Sequence, residues 1–506
     1  MILKRLLTVC VFFFLSTTLI AQNQSTKSDQ SIPKAKTFTS DQSVRIDGKN
    51  IDLEATTGTM KLRDKNNKPI ALFGYTSYIK KNVDDKESRP IVFAYNGGPG
   101  SASFWLHMGV LGPKRVVIND PDYTGPAPYD VVNNEHSILD KADLVMMDPV
   151  GTGLSVPVGE KEFKDFWGVD QDIESVSQFI RQYLIKHERL NSPKYILGES
   201  YGTFRNAGVM AHLQDQGIEL NGVIMVSSVF DLRQLLFPPG EDLSYIVHFP
   251  TYAATAWYHD KVDGKKENIE NFLDEVRAFT KNEYAPALYA GDQLTDQEKQ
   301  DIANKLTSYT GLSADYWLKA DLRVTNGEYF AEFLRDEGEI VGRLDSRFTG
   351  INRDLISQTA EYDPQSAAIS PPYITGFLDY FYNDLGVDKD LHYQTSAGSR
   401  EGFSWDWSHT GNTAWGAQVA INTGIDMART MSHNPNVKVL ILNGYYDLAT
   451  VFYGVEYTID HLGLEPEIKD NIIMKYYEAG HMMYTHPPSL EKFDNDVSEF
   501  ITNTSN

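Results

Sequence analysis

Short, continuous apolar runs recur along the chain, and most are followed by a segment rich in glycine, asparagine or aspartate. Runs of this length, bounded by turn residues, predict strands buried on both faces. They occupy residues 90–95, 143–147, 195–197, 222–226, 437–444 and 471–477. Between the second and third runs, apolar residues recur at helical spacing, at Ile173, Val176, Phe179, Ile180, Tyr183 and Leu184. Strands that alternate with helices predict a mostly parallel central sheet.

Two regions break this alternation. Residues 38–78 alternate apolar and polar positions between turn signals, which predicts an antiparallel meander at the edge of the sheet. After the fourth apolar run, no run of similar strength occurs until the fifth, and a structureless loop of that length is implausible in a compact domain. We therefore predict a core of residues 37–230 and 410–506, with residues 231–409 inserted as a large, mainly helical cap. Within the cap, the proline pair at 371–372 indicates a loop.

The N-terminal segment predicts export. Lys4 and Arg5 precede a short apolar stretch, so residues 1–21 are interpreted as a signal peptide. Residues 22–36 are rich in serine, glutamine and lysine, which is typical of a disordered leader. Cys10 is the one cysteine of the chain and lies within the predicted signal peptide, so the mature chain would lack disulfides. We predict an exported protein, periplasmic or secreted, with no integral membrane span in the mature chain.

Charge and motif content exclude several classes of partner. The chain has 46 basic and 69 acidic residues, a net charge of −23, and no basic cluster. Nucleic acid is therefore not an expected partner. The sequence lacks H-E-x-x-H, EF-hand and phosphate-loop patterns, so neither a metal nor a cofactor is predicted.

The pentapeptide from Gly198 to Gly202 has the form G-x-S-x-G, between the third apolar run and a helix-compatible stretch. A strand that turns sharply into a helix leaves no room for a Cβ at the flanking positions, which explains the two glycines. This pattern predicts a nucleophile elbow that presents the hydroxyl of Ser200. Because G-x-S-x-G alone is a weak signal, the assignment depends on partners elsewhere in the chain.

Two later segments supply those partners. Asp447 follows the fifth apolar run and His481 follows the sixth. A serine hydroxyl needs a base to remove its proton and an acid to orient that base, so we predict His481 as the base and Asp447 as its orienter. Asp460 and Asp470 are nearby carboxylates, but neither follows a strand end. The order Ser, Asp, His is that of α/β-hydrolases, and the carboxyl ends of the strands are where their catalytic residues gather.

A glycine-rich loop follows the first apolar run, from Asn96 to Gly100. Acyl transfer needs backbone N–H groups directed at the developing oxyanion. We predict Gly98 N–H and Tyr201 N–H as these donors, the second because it directly follows Ser200.

Together these segments resemble serine carboxypeptidases. The resemblance rests on short motifs spread over the chain: 96–101, 148–153, 198–202, Asn443 and Gly444 leading to Asp447, and 480–482. It implies an α/β-hydrolase with an inserted cap that releases the C-terminal residue of peptides. It further implies that Asn96, the Gly97 N–H and Glu199 hold the terminal carboxylate of the substrate.

An acidic side chain in that position has a consequence for pH. Glu199 and a substrate carboxylate would repel each other unless they share one proton, which raises the apparent pKa of the pair. We therefore expect activity to favour acidic pH.

Other interpretations use the same residues. The triad could serve an aminopeptidase, an esterase or an acyltransferase, because fold and triad do not fix the substrate. Asn96 and Glu199 favour a terminal carboxylate, whereas a terminal amine would require extra carboxylates in the cap. A binding module that has lost catalysis is a third interpretation, which the intact Ser, Asp and His disfavour.

Overall fold

The computed structural model describes residues 32–262, 268–410 and 421–505, and the backbone of two short strands at 413–414 and 417–418. The predicted signal peptide, 1–21, and the first part of the predicted leader, 22–31, lie outside the described residues. In the part of the chain that is described, no helix is long and apolar enough to cross a membrane.

The strands are β1 Thr37–Ile46, β2 Lys49–Arg63, β3 Pro69–Lys80, β4 Ile91–Tyr95, β5 Lys114–Val116, β6 Val131–Asn133, β7 Asp143–Asp148, β8 Val156–Pro157, β9 Lys194–Glu199, β10 Gly222–Val226, β11 Glu339–Val341, β12 Thr349–Ile351, β13 Thr413–Ala414, β14 Ala417–Gln418, β15 Lys438–Gly444 and β16 Ile472–Tyr477. The α-helices are α1 Phe104–Leu106, α2 Val169–Lys186, α3 Tyr201–Asp215, α4 Leu243–Tyr258, α5 Ile269–Phe279, α6 Ala285–Ala290, α7 Asp296–Thr310, α8 Ala314–Lys319, α9 Asn326–Glu332, α10 Pro364–Asp379, α11 Gly424–His433, α12 Phe452–Asp460, α13 Pro466–Lys469 and α14 Pro487–Thr504.

The main sheet has the order β1-β2-β3-β7-β4-β9-β10-β15-β16. From β7 to β16, each neighbouring pair in this order is parallel. The first three strands pair antiparallel at one edge, as the alternating pattern predicts. The mostly parallel α/β fold predicted from the sequence is therefore confirmed.

Each central strand buries both faces, which explains the continuous apolar runs. Side chains alternate between the faces, so Val92 and Ala94 join one hydrophobic core while Ile91 and Phe93 join the other. Helices α2, α3 and α11 supply side chains to the second core, and α14 supplies side chains to the first. The sheet therefore lies between two layers of helices, and the loops at its strand ends are left to carry function.

Most of the helices between β10 and β15 contribute to a third hydrophobic core, which includes Phe249, Leu273 and Trp317 and extends to Tyr445 and Phe452 after β15. Helix α10 differs, because its Tyr373 and Phe377 pack into the core on one face of the sheet. The boundaries of the predicted cap, 231–409, remain a proposal.

The proline pair at 371–372 lies inside α10, so the prediction of a loop at these residues is wrong. An interior proline destabilises a helix by about 3 kcal/mol. The apolar burial of Tyr373 and Phe377 on the same helix offsets that cost.

Candidate active site

Ser200 lies in the turn between β9 and α3, with backbone angles φ 61° and ψ −130°. A non-glycine residue rarely adopts this strained conformation. The turn is held by a hydrogen bond from the Ser200 N–H to the Val226 carbonyl, at 2.9 Å. A Cβ on Gly198 would lie 2.3 Å from the Gly202 carbonyl oxygen, so the glycine at this position of the motif is required by close packing.

Asp447 and His481 meet beyond the ends of β15 and β16. The Nδ1 atom of His481 lies 2.7 Å from Oδ2 of Asp447, and both side chains are buried. The alternative carboxylate Asp460 is exposed and pairs with Lys469. The structure therefore brings together Asp447 and His481, the two residues that the sequence predicts as orienter and base.

Both oxygens of the Asp447 carboxylate accept hydrogen bonds. Oδ1 accepts the backbone N–H groups of Ala449 and Thr450, at 2.8 and 2.9 Å. Oδ2 accepts the Thr450 hydroxyl at 2.7 Å in addition to its contact with His481. The sequence analysis did not identify Thr450. Its position three residues after Asp447 is the sequence feature that could have indicated a contact with the carboxylate.

The environment of His481 raises its pKa, so the neutral imidazole that a base requires becomes scarcer as the pH falls. Burial lowers its pKa, but the charges of Asp447 and Glu199 outweigh this effect and the net pKa is raised above the ordinary value. A proton taken up by His481 would therefore be stabilised by Asp447, and by Glu199 at a pH where Glu199 is ionised.

The glycine-rich loop after β4 is pressed against the turn that carries Ser200. A Cβ on Gly97 would lie 2.5 Å from the backbone nitrogen of Tyr201 and 2.6 Å from that of Gly202. Gly98 has φ +107°, a conformation open to glycine and strained for other residues. The two predicted oxyanion donors, Gly98 and Tyr201, thus belong to segments in direct contact.

Asn96 and Glu199 form a buried hydrogen-bonded pair. The side-chain amide of Asn96 donates to Oε1 of Glu199 at 2.9 Å, while its carbonyl oxygen accepts the Leu106 N–H at 3.0 Å. Oε2 of Glu199 is also buried and makes no hydrogen bond of good geometry among the described residues, although the Tyr484 hydroxyl lies close enough to lower the pKa of the carboxyl. Burial raises the pKa of the Glu199 carboxyl to about 7, although the nearby His481 opposes this shift. One carboxyl oxygen beside Ser200 is therefore available to a ligand.

Arg205 joins the loop to the turn, a role that the sequence did not indicate. Its guanidinium is fully buried and donates to the backbone carbonyl of Asn96 at 2.9 Å and to the carboxylate of Asp172 at 2.6 Å. It also lies 4.8 Å from the ring centre of Tyr95 and 5.3 Å from that of Tyr201. Arg205 thus fixes the backbone of the loop relative to the helix that follows Ser200.

The fold is that of an α/β-hydrolase, and Ser200, Asp447 and His481 each follow the carboxyl end of a parallel strand, β9, β15 and β16 respectively. The sequence model of the serine carboxypeptidase family matches residues 47–486. The chain belongs to this family.

Individual relatives match shorter parts of the chain. Serine carboxypeptidase-like 15 of Arabidopsis thaliana is 31% identical over 126 residues, which cover 24% of this chain and 28% of the relative. Pheromone-processing carboxypeptidase KEX1 of Saccharomyces cerevisiae is 28% identical over 251 residues, which cover 45% of this chain and 30% of the relative. In both cases the match spans less than a third of the relative's length.

A solved structure matches most of the chain. Kex1Δp, described as a prohormone-processing carboxypeptidase from Saccharomyces cerevisiae, aligns with a TM-score of 0.53 and 17% identity. The alignment covers 89% of this chain and 91% of that one. At this identity the likeness supports the fold alone.

Proposed function

We propose that the protein is a serine-type carboxypeptidase that releases C-terminal amino acids from peptides through an acyl-enzyme on Ser200. The observation that carries the proposal is the buried, hydrogen-bonded pair of Asn96 and Glu199. Glu199 directly precedes the strained Ser200. One oxygen of Glu199 makes no hydrogen bond of good geometry among the described residues, as expected of a site that accepts a ligand carboxylate. Membership in the serine carboxypeptidase family supports the same reaction class.

In the proposed reaction, His481 takes the proton of the Ser200 hydroxyl as the oxygen attacks the last peptide carbonyl. Asp447 holds the Nδ1 proton of His481 and stabilises the imidazolium that forms. Gly98 N–H and Tyr201 N–H stabilise the oxyanion. His481 then donates its proton to the leaving amino group, and water releases the peptide from Ser200.

The terminal carboxylate of the substrate is proposed to bind Asn96, the Gly97 N–H and Glu199. A carboxylate beside an ionised Glu199 would be repelled, so the two groups share one proton. Because the pKa of Glu199 is raised to about 7, the proton is present at acidic pH and lost above neutrality. Substrate binding should therefore weaken as pH rises through that range.

The test is release of the C-terminal amino acid from a panel of N-blocked dipeptides, for the wild type and Ser200→Ala. We expect release by the wild type at mildly acidic pH, loss of release in the variant, and loss when the C-terminus is amidated. Cleavage of esters or of peptides with a free amine, with the blocked dipeptides intact, would contradict the carboxylate site while leaving the triad in place.

We also propose export to the periplasm or the medium. The support is the pattern of residues 1–21 and the lack of cysteine after Cys10. Fractionation of expressing cells, with N-terminal sequencing of the mature chain, tests this proposal, and an uncleaved chain in the cytosol would contradict it.

A further inference from the structure

One short segment between β11 and β12 contacts both loops that carry the acid and the base. The N–H of Leu448 donates to the Arg343 carbonyl at 3.1 Å, and the N–H of Ser346 donates to the Tyr446 carbonyl at 3.0 Å. These two bonds flank Asp447 on either side. The segment, residues 343–348, is therefore attached directly to the loop of the orienting acid.

The same segment holds the loop of the base. The N–H of His481 donates to the Leu344 carbonyl at 2.6 Å. The N–H of the preceding residue, Gly480, donates to Oδ2 of Asp345 at 2.9 Å. Asp345 is thus the one side chain of this segment that bonds directly to the backbone beside the base.

Asp345 is in turn fixed by a buried ionic network. Arg347 donates to Oδ2 of Asp345 at 2.7 Å and to Asp120 at 2.8 Å. The side chains of Asp345, Arg347 and Asp120 are 0%, 3% and 6% exposed. Charged groups buried in this way hold a defined geometry, because moving any one of them leaves another without its partner.

Packing around Gly480 leaves little freedom for the loop to shift. A Cβ at Gly480 would lie 2.4 Å from the Cβ of Asp345 and 2.5 Å from its Cγ. A Cβ at Gly444 would lie 2.3 Å from the Gly480 carbonyl oxygen. The glycine before His481 is therefore required by the close approach of Asp345, and the loop is clamped between the insertion and β15.

We propose that Asp345 is a positioning residue for the proposed catalytic pair. This proposal rests on the proposed function. Asp345 acts through the Gly480 N–H to hold the His481 imidazole in place beside Asp447. The segment 343–348 thereby sets the geometry of the acid and the base. Asp345 touches neither substrate nor the reacting atoms.

The test compares Asp345→Ala and Asp345→Asn with the wild type. The matched control is Asp242→Ala, which removes the ion pair of Asp242 with Arg323 in the same insertion. The readouts are the rate constant for inactivation by a fluorophosphonate, which needs only the serine and its base, and kcat and KM for an N-blocked dipeptide. Near-ultraviolet circular dichroism and thermal unfolding report whether each variant is folded.

We expect Asp345→Ala to lower both kcat and the inactivation rate roughly 100-fold, because a displacement of about 1 Å in a catalytic group has an effect of that size. KM should stay within about threefold of the wild type, since the carboxylate site is not altered. Asp345→Asn keeps an oxygen that can accept the Gly480 N–H, so its loss should be smaller. The control should react at the wild-type rate.

A folded Asp345→Ala protein that reacts at the wild-type rate would overturn the proposal. If that variant fails to fold, Asp345→Asn decides: a lowered kcat at unchanged KM supports the role, and wild-type kinetics reject it. A wild type that reacts with neither probe would contradict the proposed function itself, and this role with it.

Discussion

The two buried carboxyl groups of the site differ in how their oxygens are satisfied. Asp447 has hydrogen-bond donors on both oxygens, from backbone N–H groups, a hydroxyl and His481. Glu199 has a well-formed donor on Oε1, from Asn96, and among the described residues only the poorly aligned Tyr484 hydroxyl beside it otherwise, and burial raises its pKa to about 7. A satisfied carboxylate serves as a fixed negative charge, whereas a half-satisfied one is available to bind a ligand or exchange a proton.

The largest effect should come from removing the fixed charge. We expect Asp447→Asn to lower kcat by about 10⁴, because an amide there stabilises the wrong tautomer of His481 and no imidazolium. Steady-state kinetics with an N-blocked dipeptide measure this loss. Asp460→Asn is the matched control, since Asp460 lies on the surface and pairs with Lys469. A kcat close to the wild type for Asp447→Asn would show that another acid orients the base.

Next in size is the loss of the buried cation that joins the two halves of the site. Arg205→Met should lower the free energy of unfolding by about 3 to 5 kcal/mol, because it leaves the buried Asp172 without its partner. Denaturant unfolding measures this change. Arg429→Met is the control, because Arg429 forms an exposed pair with Asp215. Equal losses in the two variants would contradict the structural role of Arg205.

Glu199→Gln should change the pH dependence of substrate binding more than the rate of chemistry. In the wild type, Glu199 is protonated below about pH 7 and ionised above it, so KM should rise with pH through this range. A glutamine stays neutral, so the rise in KM should disappear and the optimum should move upward. Measuring KM from mildly acidic to mildly alkaline pH tests this, and an unaltered profile would contradict the shared proton.

The smallest effect should come from removing a single hydroxyl donor to Asp447. Thr450→Val removes one hydroxyl donor to the carboxylate and leaves both backbone donors in place. One hydrogen bond to a charged group contributes about 1.5 to 3 kcal/mol, and because other donors to the carboxylate remain we expect the lower end of this range, a fall in kcat of about 10-fold. Thr450→Ser keeps the donor and should restore most of the rate; if it does not, the methyl group rather than the hydroxyl is what matters.

Local sequence patterns were sufficient to predict the central strands of the main sheet and the residues that follow them. The apolar runs become β4, β7, β9, β10, β15 and β16 because strands buried on both faces need continuous apolar sequence. The glycines around Ser200 indicate the sharp turn; close contact excludes a Cβ at Gly198, whereas at Gly202 a Cβ would be tight, with its nearest neighbour at 3.1 Å.

Contacts between distant segments could not be predicted in this way. Asp345 and Gly480 are 135 positions apart, and Arg205 and Asp172 are 33 positions apart. No periodicity or motif relates these residues: the first contact depends on how residues 343–348 pack against the sheet, and the second on how helices α2 and α3 pack against each other. The helix through the prolines at 371–372 has the same cause, since tertiary burial outweighs local propensity.

Above all, we propose that the pair of Asn96 and Glu199 binds a terminal carboxylate beside Ser200. The most direct measurement is the ratio of kcat/KM for an N-blocked dipeptide as the free acid and as its C-terminal amide, at mildly acidic pH. We predict that the free-acid dipeptide is preferred over its amide by at least about 100-fold, because the amide leaves buried polar groups unpaired. We also predict that the preference shrinks in Asn96→Ala. Equal hydrolysis of acid and amide by the wild type would contradict the claim.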